Sequence, residues 1–577
     1  MTSESIGRRR LLAAAGAAAT ALAGCSDDLR FRAGNSAPEQ VSLTVKTPPP
    51  DDDPIAAKIA SQHAENLRAA GVDAVPEPVD PPELYREVLL EHDFDLFVTR
   101  HPGFDDPDAL RALLHSDFAG ERGWQNPFGF SDPTVDELLE RQATDDDREE
   151  PLTELFEYLL ATSPYTAIVF PDRLGAANSS LGLSAPPRRP VEFVQLLEHV
   201  SSQHDREEPV RAGLFGQVSI DRLNPVAVDV ADVEFVCDLL YDPLVRETPR
   251  GYVPWLADDV RWDEDGELEA TVPLRDGLTW HDGTSITPGD VTFTVAFLED
   301  TADGATESPL PAPRHRGLVT AIDGVSRVGR RAVRFSFDDR SRAVARRALT
   351  IPLLPEHVWA DRTEPIDESL TEALAWDNEE PVGSGLFTFA DASGDRLELQ
   401  PYDDHVLRRD GVPGYEDLLE GDHGDAGLEF RVSPTATTVV ETLLADDVDL
   451  VRGSFTPSTL EPVADDPGTS TMGTSTRSFY LVGYNTRRPE LGNHRFREVV
   501  SQLVDRRYVV DEFCDGRAEP ALTPDALVGV FGDEWRSQRP DVLTFPGTDG
   551  EIDPDVVRTR FEEAGGYRYD EDGNLLA

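Results

Sequence analysis

The chain has 577 residues, and its 53 lysines and arginines stand against 110 aspartates and glutamates, which gives a formal charge of −57. This length predicts roughly two to four domains with buried cores, and so acidic a surface would repel the phosphates of DNA and RNA, which excludes nucleic acid as a partner. The one long apolar run lies near the N-terminus, so the sequence also excludes a protein that crosses the membrane several times.

The basic residues are almost all arginine, since Lys46 and Lys58 are the only lysines in the sequence. Abundant acid with so little lysine is typical of proteins that work in molar salt, where the Debye length falls to about 3 Å and self-repulsion is screened. The acidic residues also spread along the whole chain. The pattern predicts a halophilic protein, and an acidic face for cationic ligands is the alternative.

The N-terminal residues are typical of an export signal. Arg8, Arg9 and Arg10 precede an apolar stretch at residues 11–23, which is shorter than the roughly 20 residues of a membrane-spanning helix. Residues 1–25 therefore predict a twin-arginine lipoprotein signal, in which the LAGC sequence ends in the lipidated Cys25. An ordinary signal with a chance cysteine is the alternative. Residues 26–40 are polar and predict a tether.

Predicted strands and helices alternate at the start of the folded body. Residues 41–45 predict a strand, residues 55–70 a helix and residues 94–99 another strand, which is typical of an α/β fold. Residues 178–209 are rich in Ser, Gly and Pro and predict a linker with one short helix near residues 193–200. Further strands are predicted at 268–274, 278–280, 333–337, 387–390 and 397–399, further helices at 436–444, 495–512 and 556–564, and a terminal hairpin at 567–575.

Familiar catalytic motifs are missing from the sequence, which contains no GxSxG, HExxH, CxxC or Gly-Lys. The 12 histidines are not spaced as metal ligands are. Cys237 and Cys514 lie far apart and predict buried thiols. The sequence therefore favours a binding protein with no catalytic residues, no cofactor and no metal.

Several motifs lie between residues 236 and 567. Residues 274–293 contain LRDG, WHDGT and TPGDVTF, and residues 236–247, 382–385, 484–486 and 561–567 read VCDLLYDPLVRE, VGSG, YNT and FEEAGGY. These motifs resemble those of the family 5 extracellular solute-binding proteins, the peptide-type receptors of ABC importers. Their final portion is similar to the front of this chain, at residues 59–71, 85–97, 105–107, 129–138 and 163–165.

Because the family's final portion comes first in this chain, the order of the motifs predicts a circular permutant, joined at residues 178–209 and opened between Leu576 and Val41. The resemblance implies an α/β fold of the two-lobed periplasmic-binding-protein type, of the type II, large peptide-binding class. One lobe would be contiguous over residues 166–483. The other would combine residues 41–165 with residues 484–577.

The resemblance also implies a function. The protein would be a monomeric receptor on the extracellular face of the membrane, held by its lipid anchor, that captures peptides or similar polar solutes by hinge closure and presents them to ABC permease subunits. The alternatives are a ligand sensor without transport on the same fold, an anchored hydrolase with no recognisable motif, and an inert surface scaffold.

By the same resemblance, two stretches carry the ligand site. The loop at 99–106 (TRHPGFDD) matches a loop whose Asp pairs with a peptide's amino terminus. Here that position holds Gly103, so either Asp105 substitutes or Arg100 and His101 meet an anionic ligand instead. Residues 477–485 (RSFYLVGYN) match a stretch beside the ligand. The predicted ligand-binding residues are Arg100, His101, Asp105, Asp106, Phe479, Tyr480, Tyr484 and Asn485. A surface loop and a strand core are the alternatives for the two stretches.

Overall fold

The computed structural model describes residues 39–104, 106–145, 147–204, 208–228, 234–248, 251–263, 267–337, 340–367, 370–410, 426–453, 455–521 and 544–577. The predicted signal with Cys25, most of the predicted tether and the predicted site residue Asp105 lie outside these ranges.

One six-stranded sheet combines the front of the chain with its end. Its strands are β1 (Ser42–Thr47), β2 (Asp73–Pro78), β3 (Leu96–His101), β4 (Tyr165–Pro171), β18 (Phe479–Tyr484) and β19 (Ala518–Pro520). Their spatial order is β19-β4-β18-β3-β1-β2. Strand β1 runs parallel to β2 and β3, whereas β18 runs antiparallel to β3 and β4.

Both faces of the sheet are covered at its centre, so strand β18 is apolar on both sides. Along β18, Tyr480 and Val482 pack into one buried cluster, whereas Phe479 and Leu481 pack into the other. The surrounding helices are Pro54–Ala69, Pro81–Tyr85, Arg86–Glu91 (a π-helix), Ala109–Leu114, Ser116–Phe118 (3₁₀), Pro133–Thr144, Glu149–Thr162, Pro489–Gly492, His494–Ser501, Arg506–Tyr508, Val509–Phe513 (π) and Pro554–Glu563. We call this body, residues 39–171 and 479–577, the six-stranded lobe.

A second large sheet lies in the middle of the chain. Its strands are β5 (Arg173–Asn178), β6 (Val210–Phe215), β13 (Phe387–Ser393), β14 (Arg396–Pro401), β15 (Leu428–Ser433), β16 (Leu450–Arg452) and β17 (Thr469–Thr474). Their spatial order is β13-β14-β15-β6-β16-β5-β17. The helices of this part are Ser179–Leu181 (3₁₀), Pro190–His204, Glu234–Leu240, Pro288–Glu299, Arg316–Val319, Arg342–Ala348, Glu356–Trp359, Glu372–Ala375, Leu407–Asp410, Ala436–Leu444, Pro457–Leu460 (3₁₀) and Glu461–Ala464. Residues 173–474 form the seven-stranded lobe.

Smaller sheets complete the fold. Strands β9 (Arg261–Asp263), β10 (Leu268–Pro273), β11 (Gly324–Val328) and β12 (Ala332–Phe337) form a four-stranded sheet in the order β11-β12-β10-β9. The two-stranded ladders are β7 (Val245–Thr248) with β8 (Gly251–Pro254), β20 (Gly547–Thr548) with β21 (Glu551–Ile552), and β22 (Arg568–Tyr569) with β23 (Leu575–Leu576). The four-stranded sheet and the helix Pro288–Glu299 share the large buried cluster of the seven-stranded lobe.

The chain passes between the two lobes twice within the described residues, and the two crossings lie side by side. The first joins β4 to β5 at Asp172, and the second joins β17 to β18 through residues 475–478. Thr476 Oγ1 donates a hydrogen bond to the carbonyl oxygen of Pro171 at 3.0 Å, which ties one crossing to the other. In two-lobed proteins that close on a ligand, a few loop residues between the lobes absorb the change in backbone angles.

Three predicted elements differ from the structure. The strand predicted at 278–280 is only an isolated bridge between Thr279 and Ser285. The predicted linker holds the 15-residue helix Pro190–His204, whose Phe193, Leu196 and Val200 are buried in the large cluster, so this segment is part of the core. The helix predicted over 495–512 ends at Ser501 and resumes at Arg506, because Asp505 accepts backbone N–H bonds from the next turn and caps a new helix. Cys237 and Cys514 are free and buried, as predicted.

Candidate functional site

A cavity of about 1620 Å³ lies between the two lobes, next to the two crossings. The six-stranded lobe contributes Asp52, Asp53 and the loop after β3 to its wall. The seven-stranded lobe contributes the end of β6, the segment at 181–192 and Thr474, and the second crossing contributes residues 475–478. A solute in this cavity would touch both lobes at once.

The wall of this cavity is rich in arginine although the chain is acidic. Nine arginines line the cavity against six aspartates and glutamates, whereas the chain as a whole carries −57. The arginines are Arg100, Arg173, Arg188, Arg189, Arg246, Arg314, Arg347, Arg452 and Arg477. Guanidinium groups donate paired hydrogen bonds to carboxylates and phosphates, so this composition suits an anionic group.

Two of the predicted site residues, Arg100 and His101, lie on the cavity wall at the end of β3. The Nε and Nη2 atoms of Arg100 donate to Ser478 Oγ at 3.1 and 2.8 Å, which ties this side chain to the second crossing. Strand pairing holds Arg100 opposite Tyr480 on β18. The position predicted from the sequence therefore lies against the second crossing between the lobes.

The imidazole of His101 is buried in an aromatic cluster, at ring-centre distances of 4.6 Å from Phe104, 4.6 Å from Trp124 and 4.9 Å from Phe479. Its Nδ1 accepts the backbone N–H of Gly103 at 3.0 Å. Burial lowers the pKa of His101 to about 3, so the ring is uncharged at neutral pH. It packs the wall beside Arg100 without adding positive charge.

Asp106 does not line the cavity and is bonded elsewhere. Its two carboxylate oxygens accept from the guanidinium of Arg148 at 2.8 and 3.0 Å, and one also accepts the N–H of Asp108 at 2.8 Å. Burial would raise the pKa of Asp106, but Arg148 lowers it below its ordinary value. This carboxylate holds the loop after β3 in place.

The four predicted residues on and after β18 also lie away from the cavity wall. Tyr480 donates through its hydroxyl to Asp53 at 2.9 Å, and the hydroxyl of Tyr484 bonds to Thr166 Oγ1. The side-chain amide of Asn485 donates to the carbonyl of Phe94 at 2.8 Å. Phe479, Tyr480 and Tyr484 are at most 1% exposed, so their positions fit the alternative interpretation, strand core.

Sequence reasoning missed three cavity-lining arginines, Arg173, Arg188 and Arg452. Arg173 begins β5 directly after the first crossing, and Arg452 ends β16 one strand away. Arg188 belongs to the segment predicted as a linker, where two adjacent arginines among prolines in so acidic a chain were a usable signal.

Two negative findings concern the described residues alone. Within them, no group of three or more His, Cys, Asp or Glu side chains is arranged to hold a metal ion. Within the same ranges, every helix is too short or too polar to cross a membrane.

Comparison with known proteins identifies the family. The sequence model of the family described as "Bacterial extracellular solute-binding proteins, family 5 Middle" matches residues 251–574, which are more than half of the chain. The chain belongs to this family. Its members are binding receptors rather than enzymes, and the predicted class, an α/β binding protein with two lobes, is confirmed.

Curated relatives match part of the chain. The oligopeptide-binding protein AppA of Bacillus subtilis is 24% identical over 275 residues, which are 47% of this chain and 45% of AppA. Protein XP55 of Streptomyces lividans is 26% identical over 284 residues, which are 49% of this chain and 46% of XP55. The chain thus spans about half the length of the curated relatives it matches.

Solved structures of similar fold include NikZ from Campylobacter jejuni in complex with Ni(L-His), at a TM-score of 0.43 and 16% identity over 64% of this chain and 65% of NikZ. AppA from Bacillus subtilis in complex with a nonapeptide has a TM-score of 0.43 and 18% identity, over 64% of this chain and 67% of AppA.

Proposed function

We propose that this family 5 protein is the receptor of an ABC importer and captures a small polar solute, of peptide size or similar, between its lobes. The observation that carries the proposal is the cavity of about 1620 Å³ bounded by both lobes and by the second crossing. Family membership and the name of the relative AppA as an oligopeptide-binding protein support it. Enclosed polar sites of this kind bind solutes through direct and water-mediated hydrogen bonds.

Capture would proceed by closure of the hinge. Several bonds already join the lobes: Arg316 pairs with Glu121 at 2.6 Å, Arg340 with Glu140 at 2.8 Å, and the N–H of Gln217 donates to Asp52 at 2.9 Å. A solute that contacts both lobes favours the closed state by the difference in its affinity for the two states. The permease would then receive the closed form.

We further propose that the chain is a circular permutant of the family. The six-stranded sheet supports this, since β1 to β4 from the front of the chain interleave with β18 and β19 from its end. The N–H of Val41 donates to the carbonyl of Leu575 at 2.9 Å, so the two ends of the folded body are adjacent. The family match begins at residue 251 and leaves the front of the chain outside it.

The residues before the folded body carry a further proposal, that the receptor is exported by the twin-arginine route and anchored through Cys25. Exchanging Cys25 for serine should release the protein from membranes. Unchanged membrane retention of Cys25→Ser would remove the anchor from the proposal.

The halophilic character has its own test: tertiary structure should be lost when salt falls from molar to about 0.1 M, where screening weakens.

Mass spectrometry of the protein purified in its native salt tests the receptor function. A solute should co-purify, and calorimetry with that solute should show binding that leaves it chemically intact. Small-angle scattering should show a more compact protein with the solute than without it. Turnover of the solute would support the anchored hydrolase instead, and a protein that binds no solute would contradict the receptor function.

A further inference from the structure

Four arginines meet at the end of the cavity beside the hinge, and we call Arg100, Arg173, Arg188 and Arg452 the hinge cluster. Arg173 pairs in the sheet with Thr474, the last residue before the second crossing, and Arg452 pairs with Gly175 on the same strand as Arg173. Burial lowers the pKa of Arg173 to about 9, and Arg100, Arg188 and Arg452 add to this effect. With pKa values of about 9, Arg173 and Arg452 remain charged at neutral pH, so the cluster concentrates positive charge at this end of the cavity.

The carboxylates next to the hinge cluster are already engaged by other donors. Glu192 accepts the backbone N–H groups of Arg188 and Arg189 at 2.6 and 3.1 Å. Asp53 caps the helix Pro54–Ala69 by accepting two backbone N–H bonds, and it also accepts the hydroxyl of Tyr480. Neither carboxylate forms an ion pair within 4.0 Å with Arg173, Arg188 or Arg452 among the residues described.

Arg452 in particular has unused capacity to donate. Its guanidinium lies over the ring of Phe235 at 3.5 Å, which fixes its position. Its Nη1 atom is buried and has no hydrogen-bond partner among the described residues. A buried charged donor without a partner costs free energy, and a ligand oxygen would satisfy it.

The segment at 182–190 completes this end of the cavity and supplies Arg188. Pro186 packs on β5 so closely that a Cβ atom on Gly175 would lie 2.7 Å from its Cγ. At the other end of the segment, the backbone N–H groups of Arg188 and Arg189 donate hydrogen bonds to the Glu192 carboxylate and hold the chain in place. A segment that the sequence predicts to be a linker thus forms a fixed part of the cavity wall.

We propose that the hinge cluster binds a carboxylate or phosphate group of the solute. The proposal rests on the receptor function and specifies that the solute is an anion. Arg100 reaches this group from the six-stranded lobe, and Arg173, Arg188 and Arg452 reach it from the seven-stranded lobe. The anionic group therefore contacts both lobes next to the hinge, and its neutralisation of like charges favours the closed state.

The test uses the full chain in the potassium chloride concentration that keeps it folded, with three probes: succinate, inorganic phosphate and trialanine amide. Melting temperature and calorimetry are measured for wild type, Arg188→Gln, Arg173→Gln and Arg330→Gln. Arg188 is exposed, so Arg188→Gln keeps the proposal testable if Arg173→Gln fails to fold. Arg330 is an exposed arginine in the turn between β11 and β12 and serves as the matched control. Added potassium chloride at equal ionic strength controls for screening.

We expect succinate or phosphate to bind wild type and to bind Arg188→Gln and Arg173→Gln about tenfold or more weakly, because each variant loses a charged hydrogen-bond donor. Arg330→Gln should match wild type. Equal binding of the anions by all variants, or no anion binding beyond the chloride control, overturns the proposal. If trialanine amide binds all variants equally while the anions do not bind, the receptor function stands and the anionic site falls. If no probe binds and no solute co-purifies, both fall.

Discussion

The arginines of the hinge cluster and the arginines where the lobes touch lie in opposite electrostatic surroundings. In the hinge cluster, Arg173 and Arg452 lie among other arginines, and Glu192, the carboxylate beside them, is bonded to backbone donors. At the lobe contacts, Arg316 is bonded to Glu121 through two nitrogens, and Arg340 shares Glu140 with Arg111. The arginines at the lobe contacts are therefore paired with carboxylates, whereas Arg452 of the hinge cluster keeps a buried donor that has no hydrogen-bond partner among the described residues.

This difference separates structural arginines from ligand-binding ones. A paired arginine contributes to stability, and its loss leaves a carboxylate without its partner. A cluster of like charges costs stability in the empty protein and gains it only when an anion arrives. Substitution should therefore affect stability in opposite directions in the two regions, which the following experiments test.

The largest effect is expected at Asp242, in the interior of the seven-stranded lobe. Its carboxylate is fully buried and accepts from Arg246 at 2.6 Å and from His405 at 2.7 Å. Asp242→Ala would leave the buried Arg246 without its carboxylate, so we expect a loss of about 3–5 kcal/mol in the free energy of unfolding. Urea denaturation measures this. Asp259→Ala, which removes the exposed partner of Arg261, should change the free energy of unfolding little. A loss at Asp242 no larger than at Asp259 would contradict the pairing argument.

The next effect is the pH dependence caused by His101. Since burial lowers its pKa to about 3, the unfolded chain binds this proton near pH 6.5 and the folded chain does not. Stability is therefore complete above pH 6.5 and falls with acidification, by about 1.4 kcal/mol per pH unit for this group. Between pH 6 and 4.5, the free energy of unfolding of His101→Phe should therefore depend less steeply on pH than that of wild type.

A variant in the same aromatic cluster provides the control for His101. Phe479→Leu disturbs the ring that stacks on His101 but keeps the imidazole, so it should lower stability at every pH and leave the slope unchanged. An unchanged slope in His101→Phe would mean that the ring becomes protonated in the folded protein, and the positive charge at the hinge would then not come from arginine alone.

A stabilising substitution is expected at Arg452. Arg452→Met removes a charge from the hinge cluster and a buried donor without a partner, while the thioether keeps contact with Phe235. We expect the solute-free protein to gain about 1 kcal/mol in the free energy of unfolding. Thermal unfolding measures it, with Arg330→Met as the surface control. A loss of stability would show that the contact between Arg452 and Phe235 outweighs the repulsion.

The sequence predicted local structure well where the pattern is local. The apolar period at 436–444 coincides with the helix Ala436–Leu444, in which Val439, Val440 and Leu443 are buried. Asn493, a residue type that favours the N-cap position, caps the helix His494–Ser501 by accepting the N–H of Arg495. The break after Ser501 was missed because Leu503 continues the apolar face, although Asp505 was a readable cap.

The site could be predicted only in part because its residues come from distant parts of the chain. Arg100 was predicted from its loop, but the bond from Arg100 to Ser478 joins residues 378 positions apart. The bond between Tyr480 and Asp53 joins residues 427 positions apart, and it is what draws the hydroxyl of Tyr480 into the interior. Such pairs follow from the order of strands in the sheet, which one sequence does not encode in any local pattern.

The smallest effect is expected at the ion pair between Glu121 and Arg316, which joins the lobes through side chains that are about one fifth exposed. A double-mutant cycle of Glu121→Gln and Arg316→Gln should give a coupling of about 0.5–1 kcal/mol that decreases as salt rises. Because this pair joins the lobes, its loss should also make the protein less compact in small-angle scattering. Asp391→Asn with Arg396→Gln removes a pair within one lobe and should leave the scattering unchanged. If both cycles changed the scattering equally, or neither did, the lobe-contact arginines would not hold the lobes together, and only the hinge cluster would couple them.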